Sequence, residues 1–188
     1  MSLNPNHIAK VKELRHDDSL RLQFSAFNAS FNLHLIPNLD LFHPNAVFHS
    51  EVSGSHSLKH EDYRIYRGVA VNDENTDSRW AQEQTGVWRD HYSLESETNK
   101  GILGWARIII HHDLDCHSQI SHPVFEGSFS VEGDIYHIKR LSNYRLTKRS
   151  DDVELHQTDA LDTTTMVIYR DSDTEEVQTL SKRSDEQP

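Results

Sequence analysis

Fourteen histidines and a single cysteine in 188 residues are the part of this chain best equipped for chemistry. The densest run is His111, His112, Asp113, Asp115, Cys116 and His117. It offers imidazole, carboxylate and thiolate donors, the set that holds Zn2+ or Cu2+. The spacing follows no known ligand ladder, and successive residues of a strand point to opposite faces. His111, His112, Cys116 and His117 therefore stand as candidate ligands, with a metal-free surface cluster as the expected reading. His60-Glu61 opens as a zinc-protease helix does, but Asp62-Tyr63-Arg64 follows and places no second histidine four residues on. Such a helix needs both imidazoles on one face to reach one ion. Nucleophile elbows, phosphate-cradling glycine loops and CxxC pairs are missing from the sequence. No catalytic residue and no cofactor of the chain's own is expected. The histidines also bear on pH, because protonating all of them would carry the net charge from −11 to +3. Acidification is expected to weaken the hold on a partner.

Two signals concern processing. Asn28-Ala29-Ser30 is an N-glycosylation acceptor, usable on the secretory route. Lys182-Arg183 is a dibasic pair in a polar tail, where exposed backbone is open to proteases. Lys139-Arg140 and Lys148-Arg149 are dibasic as well, but the former falls inside an apolar run.

Positioning these groups falls to alternating apolar runs. In VFEGSFSV (124–131), Phe125, Gly127, Phe129 and Val131 share one face of a strand, and IYHIKRL (135–141) follows across a turn at Gly133-Asp134. GWARIII (104–110), YRIYRGVAV (63–71) and TTTMVIYR (163–170) read as further strands, with Gly68 as a bulge or close backbone approach. Leu20, Leu22 and Phe24 pair with Phe31, Leu33 and Leu35 as a hairpin turning at Asn28-Ala29. The expected fold is all-β, a single antiparallel β-sandwich or curled barrel-like domain. Residues 1–17 form a polar segment with a short helix at 7–15, 18–174 the β-domain, and 175–188 a flexible acidic tail. Within the domain, 72–101 reads as a long insertion loop whose Trp80, Trp88 and Tyr92 could contact a partner.

Composition narrows the partners. The net charge of −11 argues against nucleic acid and anionic membranes, and residues 151–188 carry eleven acidic against three basic side chains. No apolar run reaches the roughly 18–20 residues that span a bilayer, and no apolar leader follows Met1. The chain is thus expected to be cytosolic or to lack its true start. One cysteine allows no intrachain disulfide.

Taken in order, SLRLQFSAFNASFNLHLIPNLDLF (19–42), IYRGVAV (65–71), GWARIII…PVFEGSFSVEGDIYHIKRLSNY (104–144) and MVIYRDSDT (166–174) resemble the propeptide of reprolysin-type zinc metalloproteases, the ADAM family, above all its fungal members. The resemblance covers about residues 18–174. It implies a non-catalytic prodomain that inhibits, and assists the folding of, a metalloprotease catalytic domain in cis or in trans. It further implies passage through the secretory pathway and a proprotein convertase acting at Lys182-Arg183. Zinc would belong to the parent protease. In the family a later cysteine often ligates that zinc as a thiolate. Cys116 departs from this pattern, because it comes too early and lacks the usual flanking residues. The alternative reading is a stand-alone β-sandwich module that binds protein through 72–101.

Overall fold

The computed structural model describes residues 2–3, 14–84, 100–111, 123–149, 152 and 164–173. Its strands are β1 (Ser2–Leu3), β2 (Leu20–Ala26), β3 (Ala29–Pro37), β4 (Val47–Ser50), β5 (Gly54–Ser57), β6 (Arg64–Val71), β7 (Ile102–Ile110), β8 (Phe125–Val131), β9 (Asp134–Arg140) and β10 (Met166–Arg170). Helix α1 (Thr76–Gln84) follows β6, and helix α2 (Leu141–Thr147) follows β9. Eight strands form one antiparallel sheet in the order β1-β2-β3-β6-β7-β8-β9-β10, while β4 and β5 form a separate hairpin. Setting that hairpin aside, each strand pairs with its neighbour in sequence, an up-and-down meander.

Alternation sends Leu22, Phe24, Phe31, Leu33, Leu35, Tyr66, Ala106, Ile108, Phe125, Phe129 and Ile138 to one buried face. Strands β2 and β8 stand four places apart, about 19 Å in a flat sheet. Yet the Phe24 ring lies 5.6 Å from Phe125 and 5.7 Å from Phe129. The sheet must therefore curl into a half-barrel around these rings. Phe31 meets Phe129 at 5.1 Å, and Tyr136 stacks on Phe129 at 4.9 Å. Each such pair contributes about 0.5–1.5 kcal/mol beyond its buried area. At the rim, the Arg170 guanidinium sits 4.6 Å above the Phe27 ring and joins the last strand to the first hairpin. Of the two architectures expected, the curled barrel-like one forms.

The β2–β3 turn is Phe27-Asn28, both at positive φ (52° and 58°), and Ala29 pairs with Ala26. The turn thus falls one residue before the expected Asn28-Ala29, because two left-handed residues give the twist that a two-residue hairpin needs. Glu132-Gly133 plays the same role between β8 and β9, with Asp134 paired to Val131. At Gly68 a Cβ would come 1.9 Å from the His34 carbonyl oxygen, so this glycine marks a close backbone approach. The bulge falls elsewhere, between Ala70 and Val71.

The expected 72–101 loop needs correction, because Thr76–Gln84 is a helix. The buried residues of that helix are Thr76, Arg79 and Glu83, so it carries no apolar periodicity to read. Helix α2 buries only Leu141 and Tyr144 and was likewise unforeseen. Apart from Leu14 and Arg15, the helix expected at 7–15 lies outside the described residues, as does the tail 175–188. Among the described residues no helix is long and apolar enough to cross a membrane.

Candidate functional site

Strand β3 is covered on both faces. Leu33 and Leu35 point into the trough, while Asn32 and His34 lie beneath α1 and are buried as well. His34 Nδ1 is 2.6 Å from Glu83 Oε2, and its Nε2 is 2.9 Å from Thr76 Oγ1. Arg79 Nε lies 2.7 Å from the other Glu83 oxygen, an ion pair that falls short of hydrogen-bond alignment. The Trp80 ring meets His34 nearly edge-on at 5.2 Å. Both ring nitrogens of His34 are engaged, so this histidine bolts α1 to the sheet. Trp80 is half-buried against it. Trp88 and Tyr92 lie outside the described residues.

A second polar centre gathers on Glu126 of β8. Its Oε2 is 2.7 Å from His111 Nε2, and its Oε1 accepts from the Arg140 backbone N–H at 2.7 Å. Arg140 Nε and Asn143 Nδ2 also donate to it, at 3.2 and 2.8 Å. Burial raises the Glu126 pKa, but the bonds from Arg140, Asn143 and His111 outweigh it and hold the carboxyl below its ordinary range. His111, a candidate metal ligand from the sequence, thus has Nε2 committed to Glu126. His112, Cys116 and His117 lie outside the described residues. Among the described residues no group of three or more His, Cys, Asp or Glu could hold a metal ion.

Sequence reasoning missed a Ser-His-Asp row on the outer face. His137 Nδ1 is 2.9 Å from Ser128 Oγ, and its Nε2 is 2.7 Å from Asp171 Oδ1. Acyl transfer needs free donors aimed at the developing oxyanion. Here the serine sits mid-strand in β8, whose backbone pairs with β7 and β9 on either side. The His137 ring stacks on Tyr169 at 5.1 Å. The row ties β8, β9 and the turn after β10 together.

Among the described residues, most of the exposed large hydrophobic side chains lie in and around the β4–β5 hairpin. Leu39, Leu41, Val47, Phe48 and Val52 are all solvent-exposed, Phe48 at 54% and Val52 at 97%. Its base is tied to the body through Asn38 N–H to the Ile65 carbonyl at 2.8 Å, the Phe42–Tyr63 ring contact at 5.2 Å and the Arg67–Asp40 ion pair at 3.7 Å. An isolated two-stranded hairpin is marginal in water, and exposed apolar patches mark sites of contact. The runs LDLF and AVF carry this signal in the sequence, in a stretch to which a reading that seeks buried faces assigns no strand. Asn28 stands exposed at the tip of the β2–β3 turn.

No family model matches the chain, and no solved structure matches it. It is 27% identical over 149 residues to the disintegrin and metalloproteinase domain-containing protein B of Aspergillus fumigatus, covering 77% of this chain and 15% of that protein. The proteins of the same name from Trichophyton verrucosum and Arthroderma benhamiae are 27% and 26% identical over 189 residues, covering 92% of this chain and 20% of each. The chain therefore spans a fifth or less of the length of the curated relatives it matches, and it is similar to one region of them.

Proposed function

We propose that this chain is the prodomain-like region of an ADAM-type zinc metalloprotease, which inhibits and assists the folding of a protease domain in cis or in trans. The observation that carries this reading is the exposed lobe formed by Leu39, Leu41, Val47, Phe48 and Val52. A domain that leaves such a surface open beside a well-packed aromatic core is suited to covering another polypeptide. The similarity to one region of much larger fungal proteins supplies the candidate partner. In this reading the reactive zinc belongs to the partner, and the present chain contributes contact area, not ligands. Lys182-Arg183 would be the convertase site that releases it, and Asn28 would carry glycan on the secretory route, clear of the core.

The test uses the separately expressed catalytic region of the Aspergillus fumigatus relative and a fluorogenic peptide. Added in trans, this chain is expected to slow cleavage in a saturable manner. Phe48→Ser and Leu41→Ser, both at exposed positions, are expected to weaken inhibition about tenfold each while leaving the melting temperature unchanged. A wild-type chain that neither binds the catalytic region nor slows it would end the proposal.

A further inference from the structure

The interior of the half-barrel holds a charge that the fold does not answer. Arg64 and Tyr66 are two residues apart on β6 and therefore point to the same, inner face. Arg64 is only 6% exposed and Tyr66 is fully buried. Neither Nε nor Nη1 of Arg64 has a hydrogen-bond partner, and neither has the Tyr66 hydroxyl. A guanidinium cannot shed its proton to relieve its burial, so an unanswered one ranks among the costliest groups a core can hold.

The surroundings show which groups could answer it and do not. Asp17 and Asp18, on the turn that follows the buried Leu14, are near enough to Tyr66 to raise its pKa. Both are engaged with Arg15, however. Asp17 Oδ1 is 3.2 Å from the Arg15 Nε, and Asp18 Oδ2 accepts from the Arg15 backbone N–H at 2.8 Å. Among the described residues no carboxylate lies within ion-pair distance of Arg64. Burial pushes the Tyr66 pKa to about 12, with Arg64 pulling the other way, so the hydroxyl stays a donor at every working pH. The interior thus presents two unsatisfied guanidinium nitrogens, Nε and Nη1, and the phenol O–H two residues along the strand, with nothing accepting from them.

We propose that Arg64 and Tyr66 form a binding site for a carboxylate group, held by the Arg64 guanidinium and the Tyr66 hydroxyl. A carboxylate offers the guanidinium both a negative charge and acceptor oxygens, and the phenol supplies a further donor. The carboxylate comes from one of two sources, a free organic acid or an acidic side chain of a polypeptide. This site stands apart from the prodomain reading, because it rests on β6 and not on the β4–β5 lobe.

The experiment titrates the full chain with sodium acetate and, separately, with a capped hexaglutamate peptide. Ionic strength is held constant with chloride, and the melting temperature is followed. A bound carboxylate should raise it in proportion to ln(1 + [L]/Kd), by about 4 °C at ten times the dissociation constant. Arg64→Met should melt above the unliganded wild type, because it removes the unanswered charge, and should not respond to either probe. Tyr66→Phe should respond more weakly, and Arg107→Gln, on the opposite face of the sheet, as wild type does. A rise with acetate identifies a free acid as sufficient, and a rise with the peptide alone identifies an acidic side chain. In parallel, the Arg64 Nε–H resonance of the wild type should shift on saturation, a readout that needs no variant to fold. The proposal is overturned if neither probe gives a rise, if the rise persists in Arg64→Met, or if Arg64→Met melts below wild type, which would reveal a counter-charge already in place.

Discussion

Replacing Glu83 with alanine tests whether α1 is held to the sheet by charge. Glu83 is 6% exposed and contacts two partners that are themselves buried, His34 at 2.6 Å and Arg79 at 2.7 Å. Truncation leaves Arg79 buried without its carboxylate and removes one of the two bonds to His34. Breaking a buried pair from one side costs about 3–5 kcal/mol, against a total stability of about 5–15 kcal/mol for a domain. The unfolding equilibrium constant should therefore rise by a factor of about 10^2–10^4. Urea denaturation reads this as a lower midpoint with an unchanged slope. A triple variant, His34→Leu with Arg79→Met and Glu83→Met, should recover much of the loss, since the penalty lies in the orphaned groups and not in a missing attraction. Trp80 packs on His34, so the emission change on loosening α1 should vanish when Trp80 is replaced by phenylalanine. A loss below about 1 kcal/mol for Glu83→Ala would refute the reasoning, because a group so placed cannot be removed that cheaply if the helix is truly docked.

The other predictions are brief. The Glu126 carboxyl titrates below its ordinary 4.5, so its contribution is complete above the unfolded carboxylate range and is lost as pH falls through the lower folded value. The stability gap between wild type and Glu126→Gln should accordingly narrow as thermal unfolding is followed from pH 6 to pH 3 (an acid window of about three units), and a gap that stays constant would contradict the assignment. Gly68→Ala would drive a methyl to within 1.9 Å of the His34 carbonyl oxygen, and it should cost at least about 1–3 kcal/mol and loosen β3–β6 amide protection in hydrogen exchange.

Much of the fold was legible where one face is apolar. Phe125, Phe129 and Ile138 alternate with polar neighbours and landed in the core, and the meander follows from runs joined by short turns. Helix α1 was illegible for a physical reason. Its docking face is Thr76, Arg79 and Glu83, and polar residues that bury through mutual hydrogen bonds leave no hydrophobic period to detect. The same holds for Glu126, whose partners His111, Arg140 and Asn143 are scattered along the chain and meet only once β8 and β9 are aligned. His111 was legible as a polar group of consequence, but its role was not, because sequence supplies donors without saying which acceptor they will face. The Arg64–Tyr66 pair was hidden in a strand that reads as apolar on both sides of it.

The curl of the sheet carries a consequence for how fast the chain can reach its native state. Adjacent hairpins can zip by closing short loops, yet Phe24 must find Phe125 and Phe129 about a hundred residues downstream before the rings close on one another. Local pairing and final closure are therefore separate events, and the second bears the greater loop entropy. A nascent chain that has emerged only as far as β7 would hold its inner row of phenylalanines open to water, waiting for strands still to be synthesised.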